Sequence, residues 1–282
     1  MFYGPFKRPP GIVRKPYRMK ILVTNDDGIL SPVLAALGDA LSREHDVTVV
    51  APSTDQSGMS QAFTHGSERY LTYKQDAIAP YPVYQVAGTP CDCVKFAIAH
   101  LCRDSGPDLI ISGINLGENA GMSAVYSGTV AAAREGAMWG IPALAVSVWK
   151  NSPDHLDAAV NWLIRLLRKP ALLPTGSGLA GNTPAPVWNI NFPPCPPDEV
   201  EGVELTSMST VMFKDSYEPG INDHGITRFR LLGHKPQELF RLGTDDYALA
   251  RNRIAITPLQ VEQSHPAEYR RLAALGAEWK SL

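Results

Sequence analysis

Short apolar runs alternate with helical spacing through the first two-thirds of the chain. KILVT (20–24) is a compact β-rich run. Ser31-Pro32 then offers an N-cap and a first-turn proline, and VLAALGDALS carries helical periodicity. The next strand is DVTVVA (46–51). VYQVAG (83–88) follows, and Thr89-Pro90 opens a helix through DCVKFAIAHL. DLIISG (108–113) and ALAVSV (143–148) are further core strands, separated by the Ala-rich helix GTVAAAREGAMW (128–139). The segment 154–169 places apolar residues at 156, 159, 160, 163, 166 and 167, one face of an amphipathic helix. Strands alternating with helices predict an α/β body with a mostly parallel sheet covered on both faces.

After VWNINF (187–192) and PPCPP the pattern changes. Residues 203–258 read as extended pieces broken by glycine and proline, among them GITRFRLL and RIAITPL, and predict β-hairpins projecting from the body. The expected division is a basic tail at 1–18, a core at 19–200, a β-hairpin arm at 201–258 and a C-terminal helix within 259–282. The loop 175–186 reads as a surface excursion.

Composition sharpens this picture. With 44% hydrophobic and 19% charged residues the chain fits a globular protein with a sizeable core. The first 18 residues hold five basic residues, four prolines and no acid, and lack the apolar stretch of a signal peptide. Either Met19 is the true start or a short, disordered basic tail precedes it. Removing those five positive charges takes the formal charge from −2 to −7. An acidic body argues against a broad nucleic-acid surface, so any phosphate recognition must be local. Cys91, Cys93, Cys102 and Cys195 do not form C-x-x-C, and the seven histidines show no H-x-x-x-H pair. Reduced cysteines in a cytoplasmic protein without zinc are expected. No apolar run is long enough for a membrane helix.

The candidate chemistry sits where strands end. The run at 20–24 stops at Asn25-Asp26-Asp27-Gly28, with no basic residue nearby in sequence. A hairpin turn is excluded because a helix follows, so this is a strand-to-helix turn at the carboxyl edge of the sheet, where ligands bind in such folds. The second loop, PSTDQSGMSQ, supplies hydroxyls including Ser57. The third, INLGENAGMSAVYSGTV, supplies Asn115 and Asn119. Asp26, Asp27, Ser57 and Asn115 are all hard oxygen donors and suit Mg²⁺, Mn²⁺ or Ca²⁺. Such a cation would offset the repulsion between the two carboxylates. Ser127-Gly128-Thr129 opens a helix and can serve as an anion site or simply as an N-cap. Beside a metal, phosphate is the better reading. Neither G-x-G-x-x-G nor a P-loop occurs.

Taken together, ILVTNDDGI (21–29), VVAP…SG (49–58), GTPCDCVKFA (88–97), ISGINLGENAG…YSGTVAAAREG (111–136) and AITPL (255–259) resemble the SurE family of stationary-phase survival nucleotidases. The resemblance implies a Rossmann-like, doubly wound body with a C-terminal β-hairpin arm that exchanges between subunits, giving a homodimer or homotetramer. It implies a 5′/3′-nucleotidase acting on nucleoside monophosphates, with cleavage of short polyphosphate in some members. It implies one divalent metal ion per subunit, Mg²⁺ or Mn²⁺, on Asp26, Asp27, Ser57 and Asn115, and phosphate binding by Asn119, Ser127, Gly128 and Thr129. No stable nucleic-acid or membrane partner is expected. Relatives commonly read Asp-Arg-x-Arg-Ser-Gly where this chain has Ser53-Thr54-Asp55-Gln56-Ser57-Gly58, and often carry glycine at Val33. Two cationic phosphate contacts and a leading acid are thus missing, which points to altered substrate preference.

The expected reaction is phosphate monoester hydrolysis, with Asp26 holding the metal and Asp27 orienting or deprotonating water. Direct attack by either aspartate is the open alternative. A non-catalytic nucleotide sensor of the same fold is the rival class. Metal-dependent glycosyl transferases would need an acceptor site, and haloacid-dehalogenase phosphatases would need Asp-x-Asp. Asp92 and Lys95 read as a surface ion pair, Asp245-Asp246 as a solvated turn and Arg134 as a surface or packing residue. Tyr126, beside Ser127, reads as a core or interface aromatic that could border the nucleoside pocket.

Overall fold

Thr24 and Ser112 are the points from which the fold's two halves diverge. A computed structural model of the chain describes residues 18–66, 71–76, 79–149, 153–179, 183–221, 225 and 227–275. Its central sheet is built from β1 (Lys20–Thr24), β2 (Asp46–Pro52), β3 (Tyr73–Asp76), β4 (Val83–Val86), β5 (Leu109–Leu116), β6 (Ala143–Val148), β7 (Val187–Phe192), β8 (Val203–Leu205) and, after a separate hairpin of β9 (Lys214–Ile221) and β10 (Thr227–His234), β11 (Ile254–Leu259). The order across the sheet is β3-β4-β2-β1-β5-β6-β7-β11-β8. From β1 the chain winds one way through β2 and β4, then returns to the other side of β1 and winds through β5, β6 and β7. All five of those pairings are parallel. The switch point therefore falls between β1 and β5, and their following loops part over a crevice.

The helices are α1 (Pro32–Ser42), α2 (Pro90–Phe96), α3 (Ser123–Tyr126), α4 (Gly128–Met138), α5 (Pro153–Leu167), α6 (Asp245–Leu249) and α7 (Pro266–Ala274). Strand alternation feeds two cores. Ile21, Val23, Leu109 and Ile111 face Leu34, Leu37 and Leu163 of α1 and α5. Leu22, Ile110, Ala143 and Val187 face Val94 of α2 and Val130 and Ala133 of α4. A capping box at Thr89 and Asp92 starts α2 as the sequence predicts. Among the described residues no helix is long and apolar enough to cross a membrane.

The mostly parallel α/β sheet and the C-terminal hairpin agree with the sequence reading. Three features depart from it. Among the described residues, Lys214–Ile221 and Thr227–His234 alone form a hairpin off the body, whereas β8 and β11 join the central sheet. The reason is burial: Ile254, Ala255 and Ile256 are all core residues. The 201–258 segment is thus an arm only in part. Asp92 is no surface partner of Lys95. It is buried and accepts from Thr64 and Thr89, while Lys95 donates to Glu135 at 2.9 Å. Asp245 and Asp246 are buried in α6 rather than solvated. The tail at 1–17, residues 180–182 of the surface loop and the end of the last helix beyond 275 lie outside the described residues.

Candidate active site

The turn after β1 is closed by its own first residue. Asn25 accepts from the Gly28 N–H at 3.2 Å and donates to the Gly28 carbonyl at 3.1 Å. Gly28 has φ +96°, and a Cβ there would lie 3.2 Å from the backbone of Thr54. Glycine is required because Gly28 is itself left-handed and the second loop crosses close to it. That loop is pinned to the first by the Gln56 N–H donating to the Asp26 carbonyl, 2.8 Å. Ser57 follows directly, exposed, with its N–H on the Asp55 carboxylate at 2.7 Å.

Asp26 is buried beneath the start of α4. The Thr129 hydroxyl donates to its Oδ1 at 2.6 Å, and the Thr129 N–H donates to its Oδ2 at 3.2 Å. A Cβ on Gly128 would stand 2.9 Å from the Asp26 Cβ, so only glycine lets helix and carboxylate approach this closely. Ser127 caps α4 by accepting from the Val130 N–H at 3.1 Å. The N-cap alternative for Ser127 therefore holds, and no described hydrogen bond uses its hydroxyl proton or the Gly128 N–H. Thr129, expected to bind phosphate, donates to Asp26 with both its hydroxyl and its N–H.

Burial raises the Asp26 carboxyl above its usual range, opposed by the Thr129 hydrogen bonds. Burial, then Asp26 and Asp55, push Asp27 up to about 6. The Asp27 Oδ2 is buried with no hydrogen-bond partner, and none of the described ion pairs includes either aspartate. A carboxylate pair left in this condition fits a hard divalent cation, whose charge would supply the missing partner. Among the described residues no three His, Cys, Asp or Glu side chains cluster for a metal, so a cation here must also use hydroxyl, amide or water oxygens.

The third loop is held from beneath. The Asn115 amide donates to the Gly117 carbonyl at 2.8 Å, leaving its own oxygen free. Asn119 is fixed on three atoms. Its N–H donates to Asn191 (2.8 Å), its carbonyl accepts from Asn189 (2.8 Å), and its side chain donates to Ser147 (2.8 Å). From the other side Asp245 accepts the Gly121 N–H at 2.7 Å and the Ser209 N–H at 2.8 Å. Lys235 donates to the Ala120 carbonyl at 2.8 Å and to Asp246 at 2.9 Å. Thr24, Ser112, Ser147, Asn189 and Asn191 thus form a buried polar row on the α2/α4 face of the sheet, under the crevice.

Ser147, Asn189, Asn191, Lys235, Asp245 and Asp246 were missed as site residues in the sequence. One signal was present: two asparagines at i and i+2 in VWNINF put amides on one face of a buried strand. Arg134 donates to the Gln260 carbonyl at 3.4 Å, away from these groups, and Tyr126 is exposed.

Fold and crevice define a doubly wound α/β protein with an acid pair and an open helix end meeting at its switch point. The model of the family described as Survival protein SurE matches residues 21–215, and the chain belongs to that family. The protein named 5′-nucleotidase SurE from Syntrophobacter fumaroxidans is 36% identical over 255 residues, covering 88% of this chain and 95% of the relative. Its namesake from Methylococcus capsulatus is 37% identical over 259 residues, covering 92% and 97%. The crystal structure of SurE from Aquifex aeolicus superposes with a TM-score of 0.73 at 26% identity, covering 91% of this chain and 99% of the other.

Proposed function

We propose that this chain is a metal-dependent phosphatase that hydrolyses nucleoside 5′- and 3′-monophosphates to nucleoside and phosphate. The observation that carries the reading is the acid pair that ends β1: Asp26 is gripped by the first turn of α4, the neighbouring Asp27 keeps a buried oxygen without a partner, and neither belongs to a described ion pair. The names of its relatives support it. Asp26, Asp27, Ser57 and Asn115 would hold one Mg²⁺ or Mn²⁺. When bound, that cation supplies Lewis-acid neutralisation of phosphoryl charge and makes water more acidic.

The chain's own groups divide the remaining work. Asp26, held on both oxygens by Thr129, is a fixed ligand. Asp27, with Oδ2 unpartnered, accepts the proton of the attacking water as a new P–O bond forms. The P–O bond to the sugar breaks, and the nucleoside oxygen leaves with a proton from solvent. The Gly128 N–H, the Ser127 hydroxyl and the second amide hydrogen of Asn119 donate to the phosphoryl oxygens as charge develops. The exposed apolar residues Tyr217, Phe229 and Leu231 of the β9–β10 hairpin support a role for the arm in a homodimer or homotetramer, and free cysteines fit a cytoplasmic setting.

The test is release of phosphate from AMP and GMP with Mn²⁺ or Mg²⁺. Activity abolished by EDTA and restored by metal is expected. Tight nucleotide binding without release would favour a sensor.

A further inference from the structure

A cavity of about 530 Å³ opens beside the third loop. Its wall includes Leu116, Gly117 and Glu118, the residues between Asn115 and Asn119. Each Cα step is about 3.8 Å, so the cavity begins within one residue of the proposed metal and phosphate groups. Trp149, Phe213 and Phe240 add aromatic rings to its lining. Trp149 directly follows β6 and lies two residues from Ser147, whose hydroxyl holds the Asn119 amide.

The floor fixes the chemistry of the occupant. Lys235 lines it, but that charge is already satisfied by Asp246 and the Ala120 carbonyl and lies 5.3 Å from the Phe213 ring. Glu118 and Asp246 add negative charge. Beside His234, a phosphate chain would find no free lysine or arginine among the lining residues. A flat, neutral group bearing N–H or O–H donors would find aromatic faces and carboxylate acceptors. The cleft of about 490 Å³ that holds Lys20 and His45 lies at the amino ends of the strands, the opposite edge from Asp26.

We propose that this cavity binds the nucleoside part of the substrate, with the base against Trp149 and Phe240. The proposal rests on the nucleotidase reading above and adds the residues that select the leaving group. It assigns no such role to Tyr126, which does not line the cavity. Monophosphates should be favoured over tripolyphosphate, which gains nothing from this wall.

Trp149→Ala and Phe240→Ala, as full-length proteins, test it. Alanine at a base-stacking position costs roughly 5- to 150-fold in affinity. Each variant should lose at least about fivefold more kcat/KM on AMP than on glycerol phosphate, which has no base, and the loss should lie in KM. Calorimetric titration with adenosine alone should show binding to the wild type and much weaker binding to both variants. Equal losses on both substrates, or adenosine binding unchanged in both variants, would overturn the cavity assignment. Wild-type protein that cleaves glycerol phosphate but no nucleotide would overturn the nucleotidase reading. The adenosine titration judges the cavity in either case.

Discussion

Thr129 holds both oxygens of the Asp26 carboxylate, through its hydroxyl at 2.6 Å and its N–H at 3.2 Å, across 103 residues of sequence. The hydroxyl contact is to a buried charged group, so removing it should be felt twice. Thr129→Val is expected to cost about 1–3 kcal/mol of stability and about 10- to 100-fold in kcat/KM, as for groups that orient a metal ligand. Thr129→Ser, which keeps the donor, should recover most of both. Urea titration and phosphate release from AMP read the two effects.

Asp27 differs from its neighbour because one of its oxygens has no partner. Asp27→Asn keeps the shape but cannot take a proton. Turnover at saturating Mn²⁺ should fall by about 10²- to 10⁴-fold, with the circular dichroism spectrum unchanged. Full turnover in this variant would remove Asp27 as the base.

Asp245 accepts three N–H groups, from Gly121, Ser209 and Asp246, at 2.7, 2.8 and 2.9 Å. Asp245→Ala strands all three in a buried setting. At about 1 kcal/mol or more for each, the denaturant midpoint should drop by the equivalent of about 3 kcal/mol. Because Gly121 ends the loop that carries Asn115 and Asn119, kcat should fall as well, which a remote packing defect would not produce.

His45 governs a pH effect far from the site. Burial depresses its pKa below 6.5, with Arg18 adding to the depression and Glu44 and Asp46 opposing it. Its Nδ1 is buried without a partner, so the fold favours the neutral ring. As pH falls below about 6.5 the unfolded chain binds the proton first, and stability is lost until the folded-state pKa is passed. Raised carboxyls such as Asp27 act in the opposite sense over the same range, so the readout is the difference between proteins: from pH 7 to pH 5 the wild type should lose melting temperature relative to His45→Gln.

Much of the body was legible because parallel strands buried on both faces read as apolar runs, as in KILVT and ALAVSV. The edge strand Tyr73–Asp76 was not, since its YKQD sequence is largely exposed and carries no apolar alternation. Asp26 and Asp27 stood out because an acid pair ended a buried strand. Asp92 and Asp245 did not, because an acid's burial depends on donors remote in sequence: Thr64 for one, Ser209 and Gly121 for the other. Thr129 was ambiguous for a different reason. A hydroxyl at a helix start suits a cap, an anion or a carboxylate equally well, and only the fold decides among them.

The Gly121–Asp245 contact has a temporal meaning. The two residues are 124 positions apart, and β11, which packs between β7 and β8, comes later still. A nascent chain emerging from the ribosome cannot seat the Asn115–Gly121 loop until nearly its whole length has been made, so half-built molecules should be catalytically silent even where the first strands have already paired.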